Sequence, residues 1–360
     1  MYTVGKTTLL FMSVFRFLLF PFAALYDVIT AVRNRLFDTG YKPAVRFEVP
    51  VISVGNLAVG GTGKTPMVEH LIRLLSPEFK IATVSRGYGR KTKGFRIATD
   101  ADTAATLGDE PLQIFKKFGR QVHVTVGEER AYAIPMLLQE RGDTTAVIMD
   151  DAFQHRSVIP GLSVLLTEYQ NPFYNDYLLP VGRLREAKSG AGRADVIVVT
   201  KCPDHISDDE VMEIESHIHG YAVKPVFFCR IRYGEPVAFG RQDAVFSPRV
   251  ILVSAIANAH ILEEHVRKSF SLVRHFSFRD HYVITESDLN EIESLLKKSG
   301  PEEVCILTTE KDMVKLKRDE LQEQVGRLPI FYLPIETEFI RNGKDFDTLV
   351  LSFMRSFKAD

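Results

Sequence analysis

The densest chemistry in the chain lies at residues 51–66, Val-Ile-Ser-Val-Gly-Asn-Leu-Ala-Val-Gly-Gly-Thr-Gly-Lys-Thr-Pro. An apolar strand empties there into glycines and then into Lys64 and Thr65 at the head of a helix. Glycines at 60, 61 and 63 reach backbone angles closed to other residues, so amide N–H groups can turn inward around a polyphosphate at the positive end of the helix dipole. The run predicts a nucleotide site made of Ala58, Val59, Gly60, Gly61, Thr62, Gly63, Lys64 and Thr65, with Lys64 reaching the terminal phosphates and Thr65 binding Mg²⁺. The first glycine of the strict phosphate-loop pattern falls on Ala58. Val59 stands where dimeric ATPases that share a lysine across an interface carry that lysine, which points to catalysis within one subunit. Guanine reading is disfavoured, because Thr200-Lys201-Cys202-Pro203 has proline where an aspartate is needed. A second Gly5-Lys6-Thr7 has no strand before it and is a coincidence of composition.

A magnesium nucleotide needs hard oxygen ligands beside the phosphates. Residues 145–151, Thr-Ala-Val-Ile-Met-Asp-Asp, supply an apolar strand ending in Asp150 and Asp151, and alternation along a strand turns one of them toward the metal. Gln154 and His155 follow on the same turn. Asp109 and Glu110 open a helix, where capping of free N–H groups is the ordinary explanation. Asp280 and His281 form a carboxylate–imidazole pair able to accept a proton, a pairing that out of context is more often structural. Thr309-Glu310-Lys311-Asp312 either opens a helix or faces the site; composition does not choose between them.

The elements that must position these groups are legible from the apolar pattern. Continuous apolar runs at 81–85, 122–126, 146–150, 162–167 and 196–200 predict strands covered on both faces, with helices after 67, from about 110 and up to about 141. The expected fold is α/β: a P-loop NTPase-type, mostly parallel sheet flanked by helices, with a second, smaller α/β domain. Gly234, Pro236, Gly240 and Pro248 place a linker at 233–248. The kinase-type domain is expected over 35–232 and the smaller one over 249–360, with strands at 250–255, 304–308 and 330–333. Helices are expected at 261–268 and 286–298, the latter behind the cap Thr285-x-x-Asp288.

A net charge of -1 gives no field for nucleic acid, although Arg86, Arg90, Lys91, Lys93 and Arg183, Arg185, Lys188 cluster locally and suit a phosphate-bearing ligand or a solvated loop. Cys202, Cys229 and Cys305 are scattered in apolar contexts and predict reduced core thiols. No obligate protein partner is evident. The amino terminus departs from this soluble picture. Residues 9–25 are apolar except for Ser13, Arg16 and Pro21. A secretory leader would carry the nucleotide site away from ATP, and a charge in mid-run opposes a spanning helix. The favoured reading for 1–34 is a membrane-associated helix lying in the interface, with Arg16 snorkelling and Lys6, Arg33, Arg35, Lys42 and Arg46 meeting anionic lipid; burial in the protein's own core is the alternative.

Taken together, residues 54–66, Ser85-Arg-Gly-Tyr-Gly-Arg90, Gly108-Asp-Glu-Pro111, Asp150-Asp-Ala-Phe-Gln-His155, Leu179-Pro-Val-Gly-Arg-Leu-Arg-Glu186, Arg193-Ala-Asp195, Asp280-His281 and Thr308-Thr-Glu-Lys-Asp312 resemble one family, the tetraacyldisaccharide 4′-kinases. Ala152, Arg183 and Ala187 depart from its usual residues. The resemblance implies ATP and Mg²⁺ as cofactors and a tetraacyldisaccharide 1-phosphate, the lipid A precursor, as the acceptor. It also implies work at the cytoplasmic face of the inner membrane. By the same resemblance Lys64 and Thr65 bind the magnesium nucleotide, and Asp150 and Asp151 form the second nucleotide motif. Asp109 with His281 activates the acceptor hydroxyl, while Glu186, as a metal ligand, and Arg185 lie at the same site. A kinase or ligase for a soluble small molecule, and a nucleotide-dependent tether, are the rival classes.

Overall fold

A computed structural model describes residues 4–300 and 303–358, with side chains from Leu18 onward except those of residues 120 and 319. The chain begins with α1 (Val4–Asp38), β1 (Val51–Asn56), α2 (Lys64–Leu75), β2 (Ile81–Ser85), β3 (Arg96–Ile97) and α3 (Ala104–Leu107). It continues through α4 (Asp109–Phe118), β4 (Val122–Val126), α5 (Arg130–Glu140), β5 (Ala146–Asp150), β6 (Leu162–Glu168), β7 (Val196–Thr200), α6 (Asp208–His219) and β8 (Val226–Tyr233). Then follow β9 (Val237–Ala238), β10 (Arg249–Ser254), α7 (Ala259–Ser269), β11 (Ser271–Ser277), α8 (Glu286–Ser299) and β12 (Cys305–Thr309). The last elements are α9 (Glu310–Leu316), α10 (Asp319–Arg327), β13 (Ile330–Leu333), β14 (Ile335–Arg341) and α11 (Gly343–Ser356).

Two compact units result, each discontinuous in sequence. The first gathers the described residues of 1–64, 145–230 and 338–360; the second gathers those of 65–144 and 231–337. In the first unit β1 lies between β5 and β6, all three parallel, and β7 and β8 extend the parallel order beyond β6, with β14 at the edge. Every residue of β1, β5, β6 and β7 is buried, which is why their sequences are continuous apolar runs rather than alternating ones. Register then fixes the chemistry: Val54 lies opposite Asp150, so the loop leaving β1 emerges beside the end of β5. The closing helix α11 buries Phe346, Val350 and Met354 at helical spacing, with Phe346 against Phe227 of β8.

In the second unit β2 and β4 pair in parallel, β3 runs antiparallel on β4, and a five-stranded sheet has the order β11-β10-β12-β13-β9. Only β9 in that sheet runs antiparallel. Residues 233–248, expected as a linker, thus carry β9 and its pairing with β13. Helix α8 starts behind the expected capping box, Thr285 accepting from the Asp288 amide and Asp288 bonding back.

Helix α1 runs past the expected end at residue 34 to Asp38, with Pro21 inside it. Lys6, Arg16 and most of the apolar run at 9–25 fall on side chains outside the described residues. From Leu18 onward, Leu18, Phe22, Leu25, Ile29 and Val32 recur every three or four residues and are each more than half exposed. Among the described residues no helix is long and apolar enough to cross a membrane. Cys202, Cys229 and Cys305 are free and buried, and burial pushes the Cys202 thiol up to about 12.

Candidate functional site

The glycine loop is braced from the side by the Leu179–Glu186 motif. The Val59 amide donates to the Arg183 carbonyl at 2.8 Å and the Arg185 amide to the Leu57 carbonyl at 2.7 Å, so Ala58 and Leu184 meet in an antiparallel bridge. Sequence reading grouped these segments by family resemblance alone; the backbone pairing is the physical link. Gly63 has φ of +83°, a conformation that an L side chain would strain, and the Thr200 hydroxyl donates to the Thr62 carbonyl at 2.9 Å, fixing the turn just before Lys64. Lys64 is the first residue of α2, where unpaired amides and the helix dipole favour an anion. Thr65 follows in the same turn.

Lys64 reaches two acceptors, Asn56 Oδ1 at 3.4 Å and Asp151 Oδ1 at 3.5 Å. Arg185 donates to both oxygens of Asp151, at 3.0 and 3.1 Å. Asp151 itself has a left-handed backbone, φ +48°, which turns its carboxylate away from the strand direction. Burial pushes the Asp151 carboxyl up, but the Lys64 ammonium and the Arg185 guanidinium outweigh it and hold the group below the usual carboxylate range. Both cations expected at the phosphates therefore share one protein carboxylate.

Asp150, buried at the end of β5, and Asp151 present hard carboxylate oxygens at the loop, which suits Mg²⁺ carried in with phosphates. Among the described residues no group of three or more His, Cys, Asp and Glu side chains is arranged to hold a metal unaided. Glu186, expected as a metal ligand, is 2% exposed and has both oxygens engaged. Oε1 accepts from Gln154 at 2.9 Å, and Oε2 accepts from Asn34 at 3.0 Å and Arg193 at 2.7 Å. Sequence reasoning missed α1's share in this network. Tyr26 donates to the Arg185 carbonyl at 2.8 Å and Arg33 to the Gln154 carbonyl at 2.6 Å, so one face of α1 is bonded to the residues behind the loop. Tyr26 and Arg33 each lie four residues after an exposed apolar residue, at the flank of that stripe, and Asn34 lies further round toward buried Ala23 and Thr30; that polar flank was the available signal.

Of the other clustered basic residues, Arg86, Lys91 and Lys93 are exposed and three are held. Arg183 is held by Asp176 at 2.8 Å and Lys188 by the Tyr174 carbonyl at 2.5 Å, and the Arg90 side chain is nearly buried against Glu128 at 2.6 Å.

In the second unit, Asp109 is the first residue of α4, and its N-cap is Gly108, which makes no side-chain cap. Gly108 has φ of +97°, and a Cβ there would lie 3.0 Å from the Tyr88 carbonyl, so only glycine lets the Ser85–Arg90 loop pass this close. Freed from capping, the Asp109 carboxylate faces His281: Oδ2 lies 3.3 Å from Nδ1. His281 has φ of +58°, is a third exposed, and sits 5.1 Å from the Tyr88 ring. Asp280 stabilises this turn, its carboxylate accepting from the His281 amide at 3.0 Å.

The Thr308–Asp312 motif does both things that composition left open. It starts α9, with Thr309 as the cap accepting from the Asp312 amide, and it supplies charges around the pair. Lys311 lies 3.4 Å from Glu110 and 3.3 Å from Asp280. Burial lowers the proton affinity of the Lys311 ammonium, yet Glu110, Asp280 and Asp109 together raise it above the usual value. Behind them Lys117 on α4 bridges Glu69 of α2 at 2.6 Å and Glu310 of α9 at 2.8 Å, and Gln113 donates to Glu69 at 3.0 Å. Burial raises the Glu69 carboxyl above its usual range despite Lys117. This buried network fixes α4 against α9 and with it the direction of Asp109.

A sequence profile described as tetraacyldisaccharide-1-P 4′-kinase matches residues 15–355. A protein of Flavobacterium johnsoniae named tetraacyldisaccharide 4′-kinase is 39% identical over 349 residues, covering 96% of this chain and 98% of its own. The protein of the same name from Bacteroides thetaiotaomicron is 37% identical over 353 residues, covering 94% and 93%. Among solved structures, an "apo" form of LpxK from Aquifex aeolicus in complex with ATP has a TM-score of 0.72 at 28% identity, covering 94% of this chain and 99% of that one.

Proposed function

The chain belongs to the tetraacyldisaccharide 4′-kinase family, and on that premise we propose how its residues share the work of moving the γ-phosphate of ATP to the 4′-hydroxyl of a tetraacyldisaccharide 1-phosphate. The amides of residues 58–64 hold the triphosphate, and Lys64 and Arg185 leave Asp151 to meet its outer oxygens. Their present pairing keeps both cations gathered at the loop before ATP arrives. Thr65, Asp150 and Asp151 are the donors for Mg²⁺, which when bound neutralises charge on the phosphate oxygens. Glu186 would have to release Gln154, Asn34 or Arg193 before joining them, and its present contacts support a role in tying α1 to the loop.

The attacking hydroxyl must lose a proton, and the Asp109–His281 pair takes it. The observation that carries transfer to an alcohol, rather than slow hydrolysis by a tether, is this carboxylate–imidazole contact between two partly exposed side chains, freed from helix capping. The apolar stripe of α1 supports a seat on a lipid surface, at the inner membrane's cytoplasmic face where ATP and the acylated acceptor coexist. Replacing Leu18, Phe22 and Leu25 by serine should reduce binding to vesicles while sparing ATP binding; undiminished vesicle binding would remove that face from the proposal.

The direct test incubates the purified protein with ATP labelled at the γ-position and the disaccharide lipid 1-phosphate. A lipid carrying a second, labelled phosphate at the 4′-position is expected. Release of labelled inorganic phosphate alone would favour the tether, and full activity on a water-soluble alcohol without lipid would favour a soluble-substrate kinase.

A further inference from the structure

One buried cation near the proton-accepting pair has no part in the roles above. Lys315 lies on α9 one turn beyond Asp312, and its side chain is 4% exposed. A buried ammonium persists only where several acceptors answer it. Lys315 Nζ has three: Asp312 Oδ1 at 3.0 Å, the Ala255 carbonyl at 3.3 Å and Asp109 Oδ2 at 3.9 Å. The last is the same Asp109 oxygen that faces His281.

We propose that Lys315 is a positioning residue for the transfer reaction, its buried charge keeping the Asp109 carboxylate ionised and turned to His281 so that the pair is ready to receive the hydroxyl proton. The proposal rests on the reading of Asp109–His281 as the proton acceptor.

A purely structural role would make Lys315 the partner of Asp312 alone. Asp312 does not need it to be hydrogen-bonded, because its Oδ2 already accepts from the Thr309 hydroxyl at 2.7 Å and the Ala255 amide at 2.9 Å. The charges that face Asp109 are His281 from the turn after β11, Glu110 beside it on α4, and Lys311 and Lys315 from α9; Asp280 and Asp312 stand behind those lysines. Lys311 is divided between Glu110 and Asp280. Lys315 is therefore the cation nearest to Asp109, and it is the more deeply buried of the two, where water screens it least. An opposite charge held close by in a buried site favours the ionised form of a carboxylate over the protonated one. Lys315 lies just beyond the Thr308–Asp312 motif, and only the turn of α9 brings it to Asp109.

The test compares pH profiles of transfer for Lys315→Gln, Lys315→Arg and, in parallel, Asp109→Asn. The acid limb of the Lys315→Gln profile should move up by roughly one pH unit or more, with KM for ATP unchanged. Lys315→Arg should keep the limb in place. Adding Lys315→Gln to Asp109→Asn should cost nothing further, since the lysine acts through that carboxylate. An unmoved limb in Lys315→Gln, with Asp109→Asn inactive, would overturn the proposal and leave the proton acceptor standing. Normal turnover in Asp109→Asn would instead remove the acceptor reading itself. Should Lys315→Gln fail to fold, Asp312→Asn takes away the competing anion and should move the limb down; a limb that stays or rises would count against Lys315.

Discussion

The glycine loop and the Asp109–His281 pair solve opposite electrostatic problems, and their local chemistry differs accordingly. At the loop two cations, Lys64 and Arg185, converge on the single carboxylate of Asp151 and so are gathered where an incoming anion would meet them. At the pair, Asp109, Glu110, Asp280 and Asp312 face Lys311 and Lys315, so negative charge is in excess, as a proton acceptor requires. The loop is rigid through backbone: glycine φ angles, a bridge to Leu184 and the head of α2. The pair is rigid through side chains, with Lys117 and the caps of α9 fixing the helices that carry it. On the proposed roles, the difference teaches that holding phosphate tolerates sequence change wherever amides do the binding, as at Ala58 in a glycine position, whereas moving a proton depends on particular side chains.

The sharpest way to break the comparison is Asp109→Asn. It should lower kcat by about 10²- to 10⁴-fold, the span typical of a lost general base, with nucleotide affinity nearly normal. Next comes Lys64→Ala, which should cost ~10²- to 10³-fold in kcat/KM through loss of an electrostatic clamp, and which unchanged turnover in folded protein would refute.

Acid sensitivity gives a further test at the loop. Because the Asp151 carboxyl is held low by Lys64 and Arg185, its ionised form stabilises the fold above about pH 4, and that contribution is lost as pH falls through its depressed folded value. Asp151→Asn should therefore flatten the fall of Tm on acidification, by a modest amount because the side chain is about a third exposed. Parallel Tm curves for the two proteins would contradict this.

The smallest effect is expected at a second histidine–carboxylate contact. His275 Nδ1 lies 2.7 Å from Glu263 and its Nε2 lies 2.8 Å from Ser254, shorter distances than at His281, yet Ser254 is wholly buried and no reactant can reach it. Glu263→Gln should leave turnover unchanged and cost about 1 kcal/mol in stability, read by denaturant unfolding. A large loss of turnover would show that bond length rather than access marks the working pair.

Much of this was legible in the sequence where burial is complete. Runs such as Ile81–Ser85, Ala146–Asp150 and Val196–Thr200 begin and end where the apolar pattern places them, because interior parallel strands admit little else. Helix α6 had a readable capping box in Ser207 and Glu210, and α11 a readable apolar stripe; neither was among the expected elements. Strand β14, Ile-Glu-Thr-Glu-Phe-Ile-Arg, is half-buried throughout and had no strong local signal. Residues 338–358 pack with the first unit, and such long-range grouping depends on tertiary contacts that no local pattern encodes. At the site, residue types were readable and partners were not. Nothing near Glu186 in sequence announces Asn34, and nothing near Asp109 announces Lys315.

The central claim is that nucleotide holding and proton acceptance are separable, and ATP affinity of the folded Lys64→Ala and Asp109→Asn proteins, measured side by side with wild type, tests it most directly. The account predicts weakened ATP binding for Lys64→Ala and near wild-type binding for the transfer-deficient Asp109→Asn. Asp109→Asn that loses ATP as severely as Lys64→Ala, or that binds ATP and still transfers phosphate at the normal rate, would contradict it.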